Sequence, residues 1–229
     1  MRPVRPALAV PVVATWLAGL PAQAQDFIET AGPLDDDSFY RLVACAAPPG
    51  GACTKRLIRW PATRPLRVGL ARIDRAYLGG KQNRARAALT RAVQYLNAAG
   101  AGIALTEVPE GAETDIAIYL VDTDGSAPIA GTGIAGLDGA TVPGARVVVW
   151  SRPDTRRILR ARIVFSTRLP IQHYESAMLE EITQALGLLT DIRNPHYEGV
   201  SIFSQDSNAS KTLGAQDIMV LRRHYPPQE

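Results

Sequence analysis

The chain has 229 residues, 46% of them hydrophobic and 21% charged, with a formal net charge of +3 and only two cysteines. That composition suits one ordinary folded domain with a short extension, and excludes a disordered acidic chain or a cysteine-dense scaffold. Most of the positive excess sits in the first residues, so the charge gives no case for a nucleic-acid partner.

The first residues read as a secretory signal. Arg2 and Arg5 give a basic start, Ala7–Leu20 is apolar, and Ala22-Gln23-Ala24 is a small-x-small cleavage site. The apolar run is short for a bilayer and is broken by Pro11 and Pro21, so no stable membrane anchor is expected once it is removed. Cleavage after Ala24 takes away two arginines and no acid, leaving 205 residues of formal charge +1. The expectation is a signal peptide over residues 1–24 and a periplasmic or secreted protein.

Residues 25–53 read as an N-terminal extension ahead of the core, with an acidic turn at Asp35-Asp36-Asp37 and a short amphipathic piece, Phe39–Val43. Cys45 and Cys53 flank a Pro/Gly-rich turn, which in an exported protein reads as a disulfide. Regular elements begin at residue 54. Leu57–Trp60 and Leu66–Leu70 read as short strands. Arg84–Ala99 reads as a helix, with Ala85, Leu89, Val93 and Leu96 at helical spacing and Gly100 as its stop.

Strands are expected at Ile103–Val108, Ile116–Val121, Arg146–Trp150 and Arg162–Phe165. The second is apolar on both faces and belongs inside a sheet. Asp122–Gly144 is a long loop rich in Gly, Pro and Ala. It contains a literal G-x-G-x-x-G at Gly131–Gly136, but no helix opens at its third glycine. A flexible glycine loop is the better reading than a dinucleotide site. The stretch from Arg152 to Arg168 is locally basic, with Arg156, Arg157, Arg160 and Arg162, suiting a solvated face or contact with an acidic polymer.

Tyr174–Leu189 reads as a helix whose apolar face is Met178, Ile182, Ala185, Leu186 and Leu189. At about 100° per residue, Glu180, Glu181 and Gln184 fall together on the adjoining flank. A last helix, Ala215–Tyr225, has Gly214 as N-cap and Asp217 in its first turn, and Pro226-Pro227 ends it.

Leu179–Leu188 reads L-E-E-I-T-Q-A-L-G-L. It resembles a zincin helix, H-E-x-x-H followed by A-L-G-L, with both histidines replaced. Asp115-Ile116-Ala117-Ile118, Ser201-Ile202-Phe203 and Leu213–Ile218 ending in Tyr225 resemble further metzincin and matrixin features over residues 54–227. The full pattern is similar to a proteobacterial family of exported proteins, domain of unknown function 2927. The resemblance implies an α+β, zincin-like domain over residues 54–229. In it, a mixed twisted sheet is preceded by a long helix and followed by a degenerate active-site helix and a C-terminal helix. The three ligand positions would be Glu180, Gln184 and Thr190. Phe203 would replace the turn methionine, and Glu181 would stand in the general-base position.

Zinc prefers thiolate and imidazole, so these residues predict no metal and no cofactor. Glu180, Gln184 and Asp191 would hold a hard cation only weakly. His173 and His196 flank the helix and read as surface residues. The expected cleft residues are Glu180, Gln184, Thr190, Asp191, Ser201 and Phe203. The expected function is a non-peptidase that binds an extended peptide or envelope polymer in the former active-site groove. Two alternatives stand beside it: a hydrolase (peptidase or amidase) using Glu181 with a non-standard metal site, and a structural partner domain of an envelope complex.

Overall fold

The computed structural model describes residues 20–23, 26–134 and 136–227. Most of the expected signal, and the Ala24–Gln25 bond at which it would be cut, lie outside these. Twelve strands and α-helices follow in order among the described residues: β1 (Leu20–Gln23), β2 (Asp26–Glu29), α1 (Asp36–Cys45), β3 (Leu66–Ile73), α2 (Gly80–Ala98), β4 (Leu105–Glu107), β5 (Ile116–Val121), β6 (Ala145–Ser151), β7 (Ile158–Ser166), α3 (Tyr174–Ala185), β8 (Thr190–Arg193) and α4 (Ala215–His224).

The main sheet runs β1-β6-β7-β5-β3-β4. β4, β3, β5 and β7 are mutually parallel, while β6 lies antiparallel to β7 and to β1. The doubly apolar β5 is interior, as its composition requires. β2 and β8 form a separate parallel pair. The fold is thus the α+β arrangement that the sequence implies: a mixed sheet, a long helix before its centre, and the E-E-x-x-Q and C-terminal helices after it.

α2 and α3 pack together under one face of the sheet, and Ala85, Leu89, Met178, Ile182, Ile118, Ile163 and Phe165 belong to one continuous core. α3 stops at Ala185, a turn short of the Leu189 expected. Gly187, at φ +104°, turns the chain away under the Ile58 carbonyl, where a Cβ would collide. Trp60 Nε1 and Tyr225 Oη then donate to the freed carbonyls of Ala185 and Leu186 (2.9 and 2.5 Å).

Several expectations are corrected. The segment read as an extension is built into the core: Phe39, Leu42 and Val43 of α1 are fully buried, and Phe39 packs edge-on against Tyr197 and Phe203. Short amphipathic pieces cannot be told from surface helices without knowing what covers them. Leu57–Trp60 is not a strand; it holds one parallel bridge, Arg59 to Arg157. β7 begins at Ile158 and α2 at Gly80, both earlier than expected.

The glycine-rich stretch before β6 is a packed cover, not a loose loop. Ile129, Ile134, Leu137 and Val142 bury a second small core against Val148, Trp150 and Val164 on the sheet's other face. Asp138 holds it together by accepting from Thr132 N, Thr132 Oγ1 and Gly133 N. The Cys45–Cys53 disulfide is formed, with Cα atoms 5.1 Å apart. No helix among the described residues is long and apolar enough to cross a membrane.

Candidate functional site

α3 places Glu180, Glu181 and Gln184 on one flank because its apolar face is pinned in the core. That flank opens into a cleft of about 500 Å³. Asp191 of β8, Ser204 and Gln205 also line it, with Gly144, Ala145, Arg168 and Pro170. Helix and strand are tied directly: Gln184 Nε2 donates to Asp191 Oδ1 at 2.8 Å, with both side chains buried. Lys55 reaches the same strand, donating to the Leu189 carbonyl and Thr190 Oγ1.

Three carboxyl groups share this small volume. Burial, then the neighbouring Asp191 charge, pushes Glu180 and Glu181 well above the ordinary carboxylate range; Arg146 of β6 partly offsets this for Glu181. Burial raises Asp191 to about 7, against the lowering pull of the Gln184 bond and Lys55. At neutral pH the cluster therefore retains protons that exposed carboxyls would lose. Glu181 Oε2 and Ser204 Oγ are buried without a hydrogen-bond partner, so the cleft has unused polar capacity.

Glu180, Glu181, Gln184 and Asp191 are thus brought together, as their positions along the sequence suggested. Thr190, Ser201 and Phe203 are not on the cleft wall. Thr190 is fully buried beside Lys55, because alternate residues of β8 face opposite ways and it is Asp191 that points to the helix. Ser201 donates to Asp217 Oδ1 at 2.6 Å, while Asp217 Oδ2 accepts from Ile202 N and Gly214 N. Ser201 therefore anchors the start of α4. Phe203 is a core residue. Ser204 and Gln205 went unnoticed in the sequence; their polar type just after S-I-F was the available signal.

The pattern matching residues 24–228 is that of the family described as Protein of unknown function (DUF2927). The chain belongs to the DUF2927 family. No curated protein matches its sequence. Among solved structures it is similar to that of myroilysin, at 14% identity and a TM-score of 0.41, over 74% of this chain and 83% of that one.

The donor set of this DUF2927 chain does not fit zinc. The two helix positions one turn apart hold a carboxyl and a neutral amide, in place of the imidazoles and thiolates that zinc prefers. Neither His173 nor His196 lines the cleft. Glu180, Glu181 and Asp191 line one cleft but do not make a metal-holding group, and neither do any other three His, Cys, Asp or Glu side chains among the described residues.

Proposed function

We propose that this is an exported, zincin-like domain without metallopeptidase chemistry, whose acidic cleft and neighbouring sheet edge bind an extended peptide or peptide-like envelope polymer. The observation that carries the reading is how the chain's own N-terminal residues lie. Leu20–Gln23 pair antiparallel along the edge of β6, from Ser151 to Val148, and Asp26–Glu29 pair along β8, from Thr190 to Arg193. β6 and β8 contribute Ala145 and Asp191 to the cleft. An extended strand on that edge is how a sheet takes up a peptide, with backbone hydrogen bonds for affinity and pockets for alternate side chains. Cleavage after Ala24 would remove β1 and leave the β6 edge free for another strand. The Cys45–Cys53 bridge supports an oxidising compartment.

The test uses protein beginning at Gln25 and a fluorescent peptide spanning Leu20–Gln23 with flanking residues. Saturable binding, competed by other extended peptides and unaccompanied by cleavage, is the expected result. Absence of binding to any extended peptide would sink the groove reading.

One observation favours a second reading, a hydrolase. Glu181 is a buried carboxyl with one free oxygen, poised at a raised pKa in a cleft, which is how general acids and bases are often held. Peptide or amide cleavage that disappears in Glu181→Gln, while the fold is kept, would establish it in place of the first.

A further inference from the structure

The arginines of this protein are unevenly paired. Among the described residues, nine form ion pairs elsewhere on the surface: Arg64 and Arg67 on Asp115, Arg84 and Arg91 on Glu175, and Arg41, Arg72, Arg86, Arg193 and Arg223 each on an acid of its own or shared. Others among these residues lack a carboxylate partner, such as Arg160 and Arg162, which lie over the Trp150 and Tyr119 rings, and a further group of this kind gathers at the tip of the β6–β7 hairpin. Arg152, Arg156 and Arg157 stand there, and the segment before β3 adds Arg56, which donates to the Pro153 carbonyl, and Arg59, which donates to Tyr40 Oη. None of these five pairs with a carboxylate among the described residues. The one acid in the turn, Asp154, accepts the Thr155 backbone N–H.

These groups frame a depression of about 530 Å³. Arg59, Arg156 and Arg157 line it with Thr63 and Thr155, over Trp60, and no acid lines it. The backbone fixes the arrangement: Arg59 N donates to the Arg156 carbonyl and Ile158 N to the Arg59 carbonyl, clamping the two segments together. Arg156 itself sits at φ +58°, a left-handed position that glycine would fill without steric cost. The chain holds a guanidinium at a strained position, beside two others, and among the described residues none of the three is ion-paired.

We propose that this hairpin tip is a binding site for a phosphate-bearing anion, gripped by Arg59, Arg156 and Arg157. Guanidinium forks match phosphate oxygens with paired, charge-assisted hydrogen bonds, and the threonine hydroxyls supply neutral donors. The site stands apart from the carboxyl cleft and shares none of its lining residues. The same chemistry would serve a soluble phosphate ester or the phosphate of a lipid headgroup.

The experiment titrates the intact protein with inorganic pyrophosphate by calorimetry, and with vesicles of phosphatidylglycerol against phosphatidylcholine by co-sedimentation. Saturable binding that weakens with added salt is expected in at least one arm. Binding of pyrophosphate identifies a soluble source, and binding only to phosphatidylglycerol vesicles identifies a lipid source; either supports the site. Arg156→Gly is the informative variant, because it deletes one fork while relieving the backbone. It should lower affinity about tenfold, the scale of one charge-assisted contact, with the melting temperature unchanged or raised. Arg157→Gln should act in the same direction. No binding in either arm overturns the proposal. Binding that Arg156→Gly and Arg157→Gln leave unchanged overturns it equally.

Discussion

Replacing Asp191 by Asn should stabilise the protein at alkaline pH and have little effect at acid pH. Asp191 is buried, and its carboxyl is raised from 3.8 to about 7. A carboxyl whose folded pKa is raised favours the folded state when protonated. That contribution is fully present below 3.8 and is lost as pH rises through about 7. The displacement is about three pH units at about 1.4 kcal/mol each, so the ionised side chain costs at most about 4 kcal/mol above pH 7. Asparagine has the same shape, carries no charge, and can still accept from Gln184 Nε2. Removing the charge also relieves Glu180 and Glu181, whose pKa values Asp191 helps to raise. Buried His224 has the opposite sign: burial depresses it to about 4, so its contribution is present above 6.5 and lost as pH falls toward 4. It is common to both proteins and cancels in their difference. Urea unfolding of both at intervals from pH 4 to pH 8 gives that difference directly. It should be near zero at pH 4 and grow to between about 2 and 4 kcal/mol in favour of the variant at pH 8. A difference that is flat across this range would refute the shared-proton account of the cleft.

Ile182→Asp should abolish cooperative folding, since a fully buried position would receive an unpaired charge at a cost of several kcal/mol, roughly; circular dichroism melting checks it. Intact mass of protein recovered after export should show an N-terminus at Gln25 and the loss of two hydrogens to the Cys45–Cys53 bridge, whereas full-length reduced protein would contradict both. Asp115→Ala should destabilise by about 1–3 kcal/mol, because the carboxylate is gripped by Arg64 at 2.7 and 2.8 Å and by Arg67 N at 2.8 Å. The Arg64 bond holds Asp115 down at about 2, so this contribution should be present above pH 3.8 and fade as pH falls toward 2. Glu180→His with Gln184→His restores two imidazoles one turn apart and should give modest zinc affinity by calorimetry; a folded double variant that binds no zinc would count against the zincin-like reading of α3.

Much of the site was legible along the chain because a helix converts spacing into direction. Once Met178, Ile182 and Leu186 are known to be apolar, the flank carrying Glu180, Glu181 and Gln184 follows from 3.6 residues per turn. The interior place of β5 and the capping of α4 by Gly214 and Asp217 were likewise local properties. Tertiary structure alone decided three things. It chose Asp191 over Thr190 for the cleft, because strand alternation is readable only when one face is known to meet the helix. It buried α1 and the glycine-rich cover, whose short apolar runs say nothing about what lies against them. And it separated the paired arginines from the unpaired ones, because ion pairs such as Arg64 with Asp115 join residues far apart in sequence. Charge can be counted along a chain; its neutralisation depends on contacts that exist only after folding.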